Sequence, residues 1–120
     1  MCLYTNQTEP LIAKKDIIVY KDLEFDYNND CKVSPFRYMK YEFGKLYKSG
    51  LKSKPVTRFG SDRNIEVTIG LHSHLEEGIT NKQPWGKFYK AIVPKGARYY
   101  IDELEYLCVS DKLIVTDETL

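Results

Sequence analysis

Apolar and polar residues alternate along much of this chain, and where they do the period is two. Ile65-Glu66-Val67-Thr68-Ile69-Gly70-Leu71 is the clearest case, apolar at every odd position and not at the even ones, as a strand with one buried face requires. The β-branched run Ile17-Ile18-Val19-Tyr20, after the charged Lys14-Lys15-Asp16, predicts a first strand. Phe36 and Tyr38, then Tyr41 and Phe43 after a slip at Met39-Lys40, sketch a second that Gly44 ends and that Leu46-Tyr47 continues beyond a bulge. Lys87 to Val93 reads as a further strand closed by Pro94-Lys95-Gly96, a type II turn in composition. Arg98–Ile101, Tyr106–Val109 and Lys112–Val115 follow as a meander with tight turns at Asp102-Glu103 and Ser110-Asp111.

One stretch predicts a helix. Ser73 stands as an N-cap with Glu76 in capping-box position, which implies a short helix over 73–81. The sum is an α+β domain: a mainly antiparallel sheet of five to seven short strands with one or two short helices, since no alternation of strands with full-length helices is present. Ile17, Val19, Ile65, Val67, Ile69, Leu71, Ile92, Ile101, Leu107, Val109 and Ile114 are the expected inward residues. At 120 residues the chain is the size of one domain. Residues 1–12 and the Ser-, Lys-, Gly- and Pro-rich connection 48–62 are expected to be mobile.

Composition changes this picture little, and charge somewhat more. Ten tyrosines and an aromatic content of 13% suit strands. The net charge is +1, from 18 basic and 17 acidic residues, so no global field argues for nucleic acid or membrane. The distribution is uneven: Lys32 to Arg63 holds nine Lys/Arg against two acids, and Ile101 to Leu120 holds six acids against Lys112. Cys2, Cys31 and Cys108 are odd in number and widely spaced, which fits reduced thiols and a cytoplasmic protein better than a disulfide framework. No signal-peptide core and no apolar run of membrane-spanning length occurs.

Candidate chemistry centres on Gly70-Leu71-His72-Ser73-His74-Leu75-Glu76-Glu77, which holds both histidines. On a continuing strand His72 and His74 would share a face and could share an ion, but two ligands fall short of the three or four a zinc site needs, so no metal is assigned. If Ser73 caps a helix, His72 remains at the strand end as the better binding candidate, with His74 a largely exposed first-turn residue. Trp85, in the Pro84-Trp85-Gly86 turn, is placed to overhang that strand end, and Arg37 and Tyr38 to face the same cleft if their strand is adjacent. Cys108, inside an apolar run, reads as core. The aromatics and cations interleaved from Phe36 to Arg58 offer a route to single-stranded nucleic acid, with rings stacking bases and lysines following phosphates. No cofactor is indicated.

Several blocks carry a resemblance. The opening MCLYT, Tyr41-Glu42-Phe43-Gly44-Lys45-Leu46-Tyr47, Gly70-Leu71-His72-Ser73-His74 and Ile92-Val93-Pro94-Lys95-Gly96-Ala97-Arg98-Tyr99-Tyr100-Ile101-Asp102 together resemble a family of small uncharacterised bacterial and phage proteins. That family pairs Y-E-x-G-K-x-Y with G-[FL]-H and P-K-G-x-x-Y-Y, and it brings no activity with it. A fainter similarity is to the ADP-ribosyltransferase fold, on Gly70-Leu71-His72-Ser73, Pro94-Lys95-Gly96-Ala97 and Glu103-Leu104-Glu105. It implies an NAD-binding enzyme with a catalytic glutamate, although here the E-x-E follows the proline turn rather than preceding it. The favoured reading is a small cytoplasmic binding or interaction module, with a homodimer through an edge strand as one route. The NAD enzyme and the nucleic-acid binder stand as the alternatives.

Overall fold

The computed structural model describes residues 3–26, 31–33, 40–57, 60, 63–76 and 86–119. Among them the chain forms twelve strands: β1 (Leu3–Thr5), β2 (Leu11–Ile12), β3 (Ile17–Asp26), β4 (Cys31–Val33), β5 (Leu46–Lys48), β6 (Lys52–Pro55), β7 (Ile65–Ile69), β8 (Leu71–His74), β9 (Gly86–Val93), β10 (Arg98–Asp102), β11 (Leu107–Ser110) and β12 (Lys112–Thr119). The expected α+β architecture with one or two helices is overturned, because the described residues build two antiparallel sheets and no helix. The larger sheet runs β2-β10-β11-β8-β3-β9-β12-β5, with β4 paired to the far end of β3, and the smaller runs β1-β7-β6. Strands β1 and β2 lie within the N-terminal stretch, and β6 within the connection 48–62.

Two local readings explain the difference. The 73–81 helix fails at its first residue: Ser73 lies in β8, opposite Cys108 of β11, with its hydroxyl buried and directed at the Cys108 carbonyl 3.5 Å away. An N-cap must instead turn its hydroxyl back onto its own chain, and the ladder with β11 forbids that. The single strand expected from Ile65 to Leu71 is in fact two, β7 in the small sheet and β8 in the large one, broken at Gly70. A Cβ at Gly70 would run into Val109 Cγ1 and Leu51 Cδ2, so only glycine allows the chain to cross there between the sheets.

The large sheet is strongly curled. Ser110 ends β11 and Lys112 begins β12, yet three strands lie between them on the hydrogen-bonded path. Two residues span at most about 7 Å, whereas four interstrand steps in a flat sheet cover roughly 19 Å. The path must therefore coil back on itself into a barrel-like form around Asp111. Its inward residues come from all five strands of that path: Val19 and Leu23, Leu71, Tyr89, Ala91 and Val93, Cys108, and Leu113 and Val115. On the outer surface, Tyr100, Leu107 and Val109 pack with Leu3 and Val67 of the small sheet.

Of the residues expected inside, Val19, Val67, Leu71, Leu107 and Val109 are buried, whereas Ile69 is exposed and Ile92 and Ile114 lie on the outer face, partly covered. The strand ending at Gly44 also differs. Residues 36–39 lie outside the described residues, and Phe43-Gly44 form a turn that Gly44 N–H ties to the Val115 carbonyl at 2.8 Å.

Candidate functional site

Strand β8 places the two histidines. Because the chain continues as a strand through His74, His72 and His74 share the outer face, while Leu71 and Ser73 point inward. This corrects the expectation that Ser73 separates the imidazoles by a helical turn and leaves His74 exposed. His74 is half-buried, pairs with Leu107 and with Tyr20 of β3, and meets Phe88 edge-on with ring centroids 5.2 Å apart. His72 lies opposite Val109, on the surface covered by the small sheet. No group of three or more His, Cys, Asp or Glu that could hold an ion gathers among the described residues. Arg37, Tyr38 and Trp85, the other expected binding residues, lie outside them.

Behind the histidines runs a row of polar groups inside the barrel. Cys108 is opposite Ser73, and Lys21 is opposite Tyr89. The bridge between Tyr20 and His74 sets Lys21 beside Ser73 one residue further along the neighbouring strands. All four side chains are buried. Lys21 is 8% exposed, its Nζ donates to the His72 carbonyl at 2.6 Å, and the Tyr41 ring covers it with its centroid 5.2 Å from Nζ. Tyr41 in turn packs on Tyr47 at 4.9 Å, and the Tyr47 hydroxyl accepts the Glu42 N–H at 2.7 Å.

Burial dictates the protonation of this row. Loss of hydration pushes the Lys21 ammonium down to about 8, against a smaller opposing pull from Asp22. It pushes the Tyr41 phenol up to about 12, helped by Tyr47, and the Cys108 thiol up to about 12 despite a hydrogen bond from Ser73. His74 is lowered, first by desolvation and then by the neighbouring Lys21 charge. Cys108 is therefore an inert thiol, and Lys21 is the group whose environment favours its reactive, neutral form. Sequence reading passed over Lys21 by ending the first strand at Tyr20. The signal was present, since Ile17, Val19, Lys21 and Leu23 fall on one face and the third is a lysine.

The outer face carries a second feature. Ile18 is paired with Ile92, Ile92 with Ile114, and Ile114 with Leu46, so four apolar side chains form one row across β3, β9, β12 and β5. Its ends are open, Ile18 at 44% and Leu46 at 42% exposure. Beside the row Lys48 and Lys112 stand directly opposite one another, a like-charge pairing that is unfavourable in isolation. On its other side Lys90 pairs with Glu118 at 3.4 Å.

Other sequence candidates are held apart. Tyr41 is buried and Tyr47 half-buried against it, so these two rings of the basic aromatic segment are not open stacking platforms, although Lys45, Lys48, Lys52 and Lys54 are exposed. The Pro94–Ala97 turn and the Glu103–Glu105 turn lie at opposite ends of β10. Comparison with protein-family models, curated proteins and solved structures gave no match.

Proposed function

We propose that this chain is a small interaction module that binds a second copy of itself through the outer face of β3, β9, β12 and β5. One observation carries the reading: Leu46, Ile114, Ile92 and Ile18 are in register across four strands and remain partly open to solvent. Single exposed apolar residues are ordinary, but a contiguous row is the kind of patch that marks an interface.

Charge supports a second copy as the occupant. A two-fold axis lying along the row lays each apolar side chain near its own symmetry mate. The same operation brings Lys48 and Lys112 of one copy over the side of the other that carries Glu118, whose side chain is 66% exposed. The opposed lysines, which form no ion pair among the described residues, thereby gain an acidic neighbour. Among the described residues no helix is long and apolar enough to cross a membrane. A cytoplasmic setting fits the buried free thiol of Cys108 and the spacing of the three cysteines.

Sedimentation velocity tests the reading. The wild type is expected to sediment as a dimer at micromolar concentration, and Ile92→Glu as a monomer with an unchanged far-UV spectrum. A wild type that stays monomeric at the highest soluble concentration rules out self-pairing, as does an Ile92→Glu variant that remains dimeric.

A further inference from the structure

We propose that Lys21 is a carbonyl-capturing amine: it forms an imine with a small apolar aldehyde inside the curled sheet, beneath the ring of Tyr41. The geometry sets Lys21 apart from the exposed lysines described. It projects inward between Val19 and Leu23, its Nζ is held by the carbonyl of His72, and a tyrosine ring lies over it. The Asp22 charge offsets only part of the desolvation of Nζ, which meets one backbone carbonyl and the face of a ring. Either is weaker compensation than water or a paired carboxylate. The neutral amine is the form this site tolerates best, and its lowered proton affinity agrees.

A neutral, desolvated amine on a flexible stem is a nucleophile. Attack on an aldehyde carbon forms the N–C bond and a carbinolamine. Loss of water then breaks the C–O bond, and both amine hydrogens leave with that oxygen, giving a neutral imine. Replacing the ammonium with an imine removes the charge that the barrel interior disfavours, and the inward Val19 and Leu23 on either side of Lys21 favour a short hydrocarbon chain over a charged one on the captured carbon. Tyr41 lies over the amine with its ring centroid 5.2 Å from Nζ, and its phenol stays protonated through the neutral range, which makes it the donor we assign to the departing oxygen. Tyr41, which covers the amine, stands in the Tyr41–Gly44 segment, which belongs to no strand and is tied by the Glu42 N–H to Tyr47 and the Gly44 N–H to Val115. An anion-binding role fits less well, because an amine that sheds its proton easily is a poor anion receptor.

Reductive trapping tests the proposal on the full chain. Propanal and cyanoborohydride are added at neutral pH, and propylation of each lysine is followed by peptide mass mapping. Lys21 is expected to react on the order of tenfold faster than exposed Lys45, Lys54 and Lys95, since more of it is neutral. Tyr41→Phe keeps the ring but removes the donor, and is expected to slow Lys21 capture severalfold while leaving the exposed lysines unchanged. Labelling of Lys21 in the wild type no faster than that of the exposed lysines overturns the proposal. Equal Lys21 rates in wild type and Tyr41→Phe overturn the donor role of Tyr41.

Discussion

Lys21 shows how a single residue can work against the element that holds it. The β3 strand buries Val19 and Leu23, and the alternation that buries them also buries the ammonium between them. The cost depends on pH in a direction that can be worked out. Below about pH 8 both folded and unfolded chains hold the proton, and the full penalty of the buried charge applies. Between about 8 and 10.5 the folded chain has shed a proton that the unfolded chain still binds, so this contribution makes stability rise with pH. Above 10.5 the penalty is gone. Lys21→Met has no such term, and groups common to both proteins cancel in the comparison. Urea unfolding at pH 7.5 and pH 10.5 is therefore expected to show the wild type gaining on Lys21→Met by on the order of 2–3 kcal/mol. A pH-independent difference would mean that Lys21 is neutral, or hydrated, at both values.

At the scale of elements, a largely buried ion pair fastens the two sheets beside their shared apolar cluster. Arg63, just ahead of β7, reaches Asp102 at the end of β10, and its Nη1 donates to both carboxylate oxygens at 2.8 Å. The same carboxylate accepts the Leu104 and Glu105 N–H groups at 3.1 and 3.2 Å, ordering the turn into β11. Removing one partner of a buried pair leaves the other charge uncompensated, so Asp102→Ala is expected to cost about 3 kcal/mol or more, and Asp102→Asn less because it still accepts from the turn. A double-mutant cycle with Arg63→Met reads the coupling; an Asp102→Ala loss within about 0.5 kcal/mol, the range of an ordinary surface substitution, would show that the fastening lies elsewhere. Elements also mark what the sequence could disclose. Strands at Lys87–Val93, Arg98–Ile101 and Lys112–Val115 were legible because their alternation matches one buried face. Ser73 was misread because a serine three residues ahead of a glutamate is equally a capping box and a polar position inside a strand, and only pairing with β11 decides. Gly70 passes for an even, non-apolar position of one continuous strand, since nothing local says that Val109 and Leu51 close around it. The apolar row at Ile18 and Ile92 could not be read at all, because it depends on the register between strands rather than on the pattern within one. Of the sheet edges, β6 is the least suited to the strand pairing expected from sequence, being Lys-Ser-Lys-Pro and fully exposed, a composition that repels added strands.

For the whole molecule, the decisive link is Asp111, the one residue that joins β11 to β12 and brings the two ends of the five-strand path together. Its carboxylate accepts the Arg98 N–H at 2.9 Å, its own N–H donates to the Arg98 carbonyl at 3.0 Å, and its carbonyl accepts the Ser49 N–H at 2.8 Å. These bonds tie the junction to β10 and to the end of β5, so the curl is fixed by a short connection and not only by the twist of the strands. In an open meander, lengthening such a turn costs little, since loop entropy grows slowly with length. Here an extra pair of residues must either break the three Asp111 bonds or shift β12 against β9, moving Leu113 and Val115 out of the inward row. Inserting two glycines after Ser110 is therefore expected to cost several kcal/mol, while the same insertion after Lys14, in the exposed connection between β2 and β3, is expected to cost about 1 kcal/mol or less. Thermal and urea melts of the two insertion variants compare them directly. Equal costs would mean that the closure at Asp111 adds nothing beyond an ordinary turn, and that the barrel holds its curl through its strands alone.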